Sequence, residues 1–107
     1  MNLSCDLKQA VKVTHLDGVL FYGDDLPLSV AVTENGQPVG ISGDVSAFVV
    51  KGENSMSTIT GGSVSGNVAS IMIPGTAFDY PGRVSIAVRL TTGNTVTTLA
   101  VLVANIF

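Results

Sequence analysis

Apolar and polar residues alternate with a period of two along most of this 107-residue chain, and no stretch repeats at the 3.6-residue spacing of a helix. Period-two alternation puts one side chain in the core and the next in solvent, which is the demand of a β-strand. Turn signals interrupt the pattern at roughly eight- to twelve-residue intervals, the spacing of strands folded into two packed sheets. An all-β sandwich is therefore expected, with no helix longer than about two turns.

The first expected strand covers about 7–16, with Val11 and Val13 on one face, and Asp17-Gly18 reads as a hairpin-type turn. A short apolar run at 19–22 ends at Gly23-Asp24-Asp25. In the next strand, about 26–33, Leu28, Val30 and Val32 share one face while Ser29, Ala31 and Thr33 share the other. Asn35-Gly36 follows, a strong short-range turn signal. Pro38 cannot donate to a ladder, so 37–41 is expected to be an edge or a crossover. Further strands are expected at 44–51, 56–60 and 68–73, the last stopped by Pro74-Gly75. One irregular or helical turn is expected at 76–80. From 83 to 91 the alternation is cleanest: Val84, Ile86, Val88 and Leu90 face inward, and Arg83, Ser85, Ala87 and Arg89 face out. A final strand covers about 95–107. The result is a single domain over 1–107, an Ig-like antiparallel β-sandwich of about seven to nine short strands. One cysteine and no tryptophan exclude the version with an inter-sheet disulfide.

The expected shared core is Val30, Val32, Phe48, Ile71, Ile86 and Val88. As a core aromatic, Phe48 should cost on the order of 3–5 kcal/mol when truncated to Ala. Phe78 and Tyr80 are expected to plug one end of the sandwich. The last strand is apolar on both sides: Leu99, Val101, Val103 and Phe107 on one, Ala100, Leu102, Ala104 and Ile106 on the other. Such a strand wants cover on both faces, either as a central strand or against another chain.

Charged residues are 12% of the chain, against roughly 25% in ordinary soluble domains, and the net charge is −3. The surface must rely on Ser, Thr, Asn and Gly, or be covered by partners. The five basic residues, Lys8, Lys12, Lys51, Arg83 and Arg89, are scattered, so nucleic acid is not an expected partner. No apolar run approaches the roughly 18 residues of a membrane helix, and a membrane is not expected either. The N-terminus does not read as a signal peptide, which leaves the Asn2-Leu3-Ser4 sequon without a role. Cys5, alone, is expected as a reduced thiol near the N-terminus.

Catalytic chemistry is not legible. His15 has no Ser or Cys motif to serve. Asp17 and Asp24-Asp25 lack the spacing of a calcium loop and are expected to serve turns. Gly61-Gly62 and Ser65-Gly66-Asn67 lack the lysine and following helix of a phosphate loop. No catalytic, cofactor-binding or metal-ligating residue is assigned, and the chain is not expected to be an enzyme. The aromatics Phe21, Tyr22, Phe48, Phe78, Tyr80 and Phe107 offer no evident platform for sugars, although a carbohydrate-binding adhesion module remains an alternative.

Four stretches carry a resemblance. They are Gly23-Asp24-Asp25-Leu26-Pro27-Leu28 with Val32-Thr33-Glu34-Asn35-Gly36-Gln37-Pro38-Val39; Gly62-Ser63-Val64-Ser65-Gly66-Asn67-Val68-Ala69-Ser70-Ile71; Tyr80-Pro81-Gly82-Arg83-Val84-Ser85-Ile86; and Leu90-Thr91-Thr92-Gly93-Asn94-Thr95-Val96-Thr97-Thr98-Leu99. Together they resemble the N-terminal Ig-like domain of tailed-phage head fibre proteins, and after these of baseplate upper proteins, over about 7–107. The resemblance implies a virion structural protein made in the host bacterial cytoplasm. It implies a head fibre or capsid decoration role, anchored to the phage capsid protein, or alternatively a baseplate or tail-fibre adaptor. It also implies continuation into a trimeric fibre, so that a homotrimer through the C-terminal strand is expected. Asn105-Ile106-Phe107 ends an apolar strand without a polar terminator, consistent with the N-terminal part of a longer chain.

Overall fold

The computed structural model describes residues 2–9, 13–15, 23–51, 55–77 and 82–106. The strands are β1 (Asn2–Asp6), β2 (Val13–His15), β3 (Leu26–Glu34), β4 (Gln37–Pro38), β5 (Asp44–Lys51), β6 (Ser55–Ile59), β7 (Ser63–Ser65), β8 (Val68–Ile73), β9 (Gly82–Thr92) and β10 (Thr95–Ile106). A single 3-10 turn, Gly75–Ala77, follows β8, where one irregular turn is expected. The Asp17-Gly18 turn, the apolar run after it, and Phe78, Tyr80 and Phe107 lie outside the described residues.

Two five-stranded sheets form the layers. Sheet A runs β1-β3-β8-β7, with β4 also on β3; sheet B runs β2-β10-β9-β5-β6. The alternation explains the layering. In β3, Leu26, Leu28, Val30 and Val32 are buried, and in β8, Ala69, Ile71 and Ile73. Sheet B answers with Val45, Ala47 and Val49 from β5, and Val84, Ile86, Val88 and Leu90 from β9. These side chains make one core cluster between the layers. Each fully buried Val, Leu or Ile contributes about 1.5–3 kcal/mol against the entropy of ordering the chain.

Three features depart from the reading of the sequence. First, only β2 lies within the expected strand at 7–16 among the described residues. β1 precedes it and pairs in parallel with β3, from Asn2↔Ser29 to Asp6↔Thr33; β2 pairs in parallel with β10, from Val101↔Val13 to Val103↔His15. Both sheets are therefore mixed rather than antiparallel, and the described residues form ten strands. Hydropathy alternation marks a strand without marking its partner, and Val13 is 49% exposed.

Second, Phe48 is not core. Its neighbours Ala47 and Val49 point inward, so Phe48 points out of sheet B, half-buried, with the Arg89 guanidinium 5.0 Å from its ring centroid. Period two allows only one parity per strand, and the smaller residues took the inner one. The other five expected core residues are buried.

Third, β10 contains a bulge. Its register with β9 shifts between Thr98 and Ala100. Leu99 thereby joins Ala100, Leu102, Ala104 and Ile106 on the inner side, while Val101 and Val103 face out half-buried. An extra residue reverses the parity of everything beyond it. That separates Leu99 from the two valines with which the alternation groups it.

Candidate functional site

The two sheets turn different surfaces to the outside. Strand register aligns the outward residues of sheet B into rows. One row crosses all five strands as Val13, Val101, Ala87, Phe48 and Thr58. The next contains Val103, Ser85, Val50 and Met56. Above the first lies Thr98, Arg89 and Ser46. Adjacent strands are about 4.8 Å apart, so the first two rows make a largely apolar stripe about 20 Å long. Val13 and Met56, at its two ends, are 49% and 66% exposed. Arg89 is the one charge in these three rows. Its planar cation lies over Phe48, and its Nε is buried without a hydrogen-bond partner among the described residues.

The outside of sheet A is a hydroxyl surface. Its first row is Asn2, Ser29, Ser70 and Ser63; its second is Ser4, Ala31, Val68 and Ser65. The Ser29 and Ser70 hydroxyls lie 3.4 Å apart. Beside them, Pro27, Met72, Ser29, Ser63 and Ser70 border an open depression of about 260 Å³. A second hollow, about 460 Å³, opens at one end of the sandwich between Asp44, Ser46, Thr58, Thr60 and Thr91. Their linings mix small polar side chains with apolar ones such as Met72 and Val45, and neither contains an aromatic ring.

One polar centre stands out, and neither alternation nor motif spacing points to it. Asp6 Oδ1 accepts from the backbone N–H of Lys8 (2.9 Å) and of Asn35 (3.2 Å). Its Oδ2 accepts from the Gly36 N–H (2.9 Å) and the Thr33 hydroxyl (3.2 Å). The Asn35-Gly36 turn is the expected hairpin turn, with φ of 51° and 80°. Asp6 thus pins the N-terminal strand to the β3–β4 turn. The Lys8 N–H, foremost, and then that of Gly36 hold the Asp6 carboxyl below the ordinary 3.8. Leu7 N–H donates to the Thr33 carbonyl nearby at 2.8 Å, and Lys8 pairs with Glu34 at 3.2 Å on the surface. The only local hint in the sequence is Asp6 two residues before Lys8, the spacing of an Asx turn.

The residues considered for chemistry do not converge. Cys5 is half-buried, and burial, with the Asp6 charge second, pushes its thiol up, away from the reactive thiolate. His15 is on β2, opposite Val103. Asp25 accepts the Gly75 N–H at 2.6 Å, which ties the entry of β3 to the exit of β8; Asp24 is exposed and Asp17 lies outside the described residues. Among the described residues no three His, Cys, Asp or Glu side chains gather as a metal set, and no helix is long and apolar enough to cross a membrane. Among the described residues, the outside of sheet B is largely apolar and that of sheet A largely hydroxylic.

No protein-family model matches the chain, and no curated protein sequence does. A solved structure does: the N-terminal domain of phage TP901-1 ORF48 shares the fold with a TM-score of 0.55 at 13% identity. The match covers 98% of this chain and 95% of that one, so the two are alike as whole domains.

Proposed function

We propose that this chain is a non-catalytic attachment domain of a phage virion. The observation that supports it is the fold shared end to end with the N-terminal domain of a phage protein. The surface chemistry agrees: a sandwich with few charges and one apolar outer face is suited to permanent contact with other subunits. Within the virion, the sequence resemblance favours the head, where the domain would anchor a head fibre or decoration protein to the capsid. Three copies around the fibre axis would meet along β10, through outward Val101 and Val103.

A reconstruction of the virion that carries this chain tests the proposal. Density for the sandwich on the capsid is the expected result. Density at the baseplate would remove the head assignment and keep the attachment role. Absence of the chain from purified virions would overturn the proposal. A glycan array on the isolated domain is expected to be blank; specific binding would instead favour an adhesion module.

A further inference from the structure

A sheet edge presents unpaired N–H and C=O groups, and folded domains blunt such edges with shortness, proline, bulges or charge. Four of the edges in this sandwich are blunted. β2 and β7 have three residues each, β4 has two including Pro38, and β1 carries Asp6 and leads to Lys8. β6 is different. It spans Ser55–Ile59 at the end of sheet B and, among the described residues, pairs on one side only, from Ala47↔Ile59 to Lys51↔Ser55 without a register shift. Its sequence, Ser-Met-Ser-Thr-Ile, has no charge, proline or glycine. Met56 and Thr58 on its outer face are exposed.

We infer that β6 is a self-pairing edge: two copies of this chain join β6 to β6 in antiparallel fashion, making one ten-stranded sheet across a twofold axis. Backbone chemistry says that the occupant is a strand, and symmetry favours this chain's own. In antiparallel pairing about a residue, each position meets one of the same parity, so outer residues meet outer residues. With the axis at Ser57, the middle of β6, Met56 of one copy lies opposite Thr58 of the other. The row Val13-Val101-Ala87-Phe48-Thr58 then runs on into Met56 and Val50 of the second copy. No charge on either β6 opposes the approach. The contact is isologous, closes on itself and does not propagate into a fibre.

Five residues of strand pairing bury less than the roughly 1,200 Å² of a standard interface, so the isolated dimer is weak, with Kd on the order of 0.1–1 mM. In a multi-copy assembly many such contacts act together. β6 is at the far edge of sheet B from β10, so this contact does not depend on the threefold contact proposed above.

Hydrogen exchange and sedimentation of the full chain between about 10 µM and 1 mM test the inference. Exchange of the 55–59 amides is expected to slow as concentration rises, while that of Ser63–Ser65 does not change. The double variant Met56→Lys, Thr58→Lys places Lys against Lys across the axis at two exposed positions. It should weaken the dimer at least tenfold while its exchange elsewhere shows the fold intact. Concentration-independent exchange at β6, or an unchanged dimer in the double variant, would overturn the inference. A trimer that persists with no protection at β6 would do the same, and would leave the β10 contact standing.

Discussion

Sheet B and sheet A solve the same burial problem with different means. Sheet B relies on length: β9 and β10 pair from Thr95↔Thr92 to Ile106↔Gly82, and β5 pairs with β9 along its whole extent. Its outer face is largely apolar. Sheet A has shorter pairings and closes them with polar staples, Asp6 on the β3–β4 turn and Asp25 on Gly75. Its outer face is hydroxylic. A sheet held by long ladders can leave its outside apolar, whereas the stapled sheet keeps a surface of hydroxyls.

The largest expected effect tests the shared core. Ile86→Ala, at a fully buried position in the centre of sheet B, should cost about 2–5 kcal/mol in chemical denaturation. A cost near zero would mean that the inner face of sheet B does not anchor the fold.

Gly75→Ala examines the staple in sheet A. The added Cβ would meet the Gly23 carbonyl, a backbone atom that cannot step aside cheaply. A loss of about 1–3 kcal/mol is expected, as in other overpacked sites. Tolerance of alanine there would show that the β3–β8 junction is looser than drawn.

Phe48→Ala compares the two faces of a single strand. Half-exposed burial and the Arg89 contact together suggest a loss of about 1–2 kcal/mol, well below that of Ile86. A loss above about 3 kcal/mol would return Phe48 to the core.

Asp6 sharpens the comparison through pH. Its carboxyl is depressed when folded, so its contribution is complete above the unfolded value of about 3.8 and disappears as pH falls through the lower folded value. Asp6→Asn should therefore lower stability at neutral pH and flatten the loss of stability below pH 3.8. Equal acid titration of stability in the two proteins would remove Asp6 as a staple.

The smallest effect is expected on the hydroxyl face. Ser29→Ala loses one long hydroxyl contact to Ser70 and should change stability by less than about 0.5 kcal/mol.

Much of this fold was legible from residue order. The alternation placed β3, β5, β8 and β9 with the right inner faces in three of the four, and Asn35-Gly36 marked its turn. Strand β5 shows the limit. Asp-Val-Ser-Ala-Phe-Val-Val-Lys alternates weakly, and the largest apolar residue suggests the wrong inner face. The three buried apolar residues, Val45, Ala47 and Val49, are smaller than Phe48, and the space between the sheets decides among them.

The sequence alone determined that this chain is made of strands and where most of them turn. Those properties are local: they follow from side-chain parity, from the backbone freedom of Asn and Gly, and from which residue types are present. Tertiary structure decided which strands pair, that β1 and β2 enter different sheets in parallel, that a bulge at Leu99 reverses the parity of β10, and that five outward rows become two unlike surfaces. Each of these depends on residues far apart in the chain meeting across about 5 Å of ladder or 10 Å of core, a condition that local alternation does not encode.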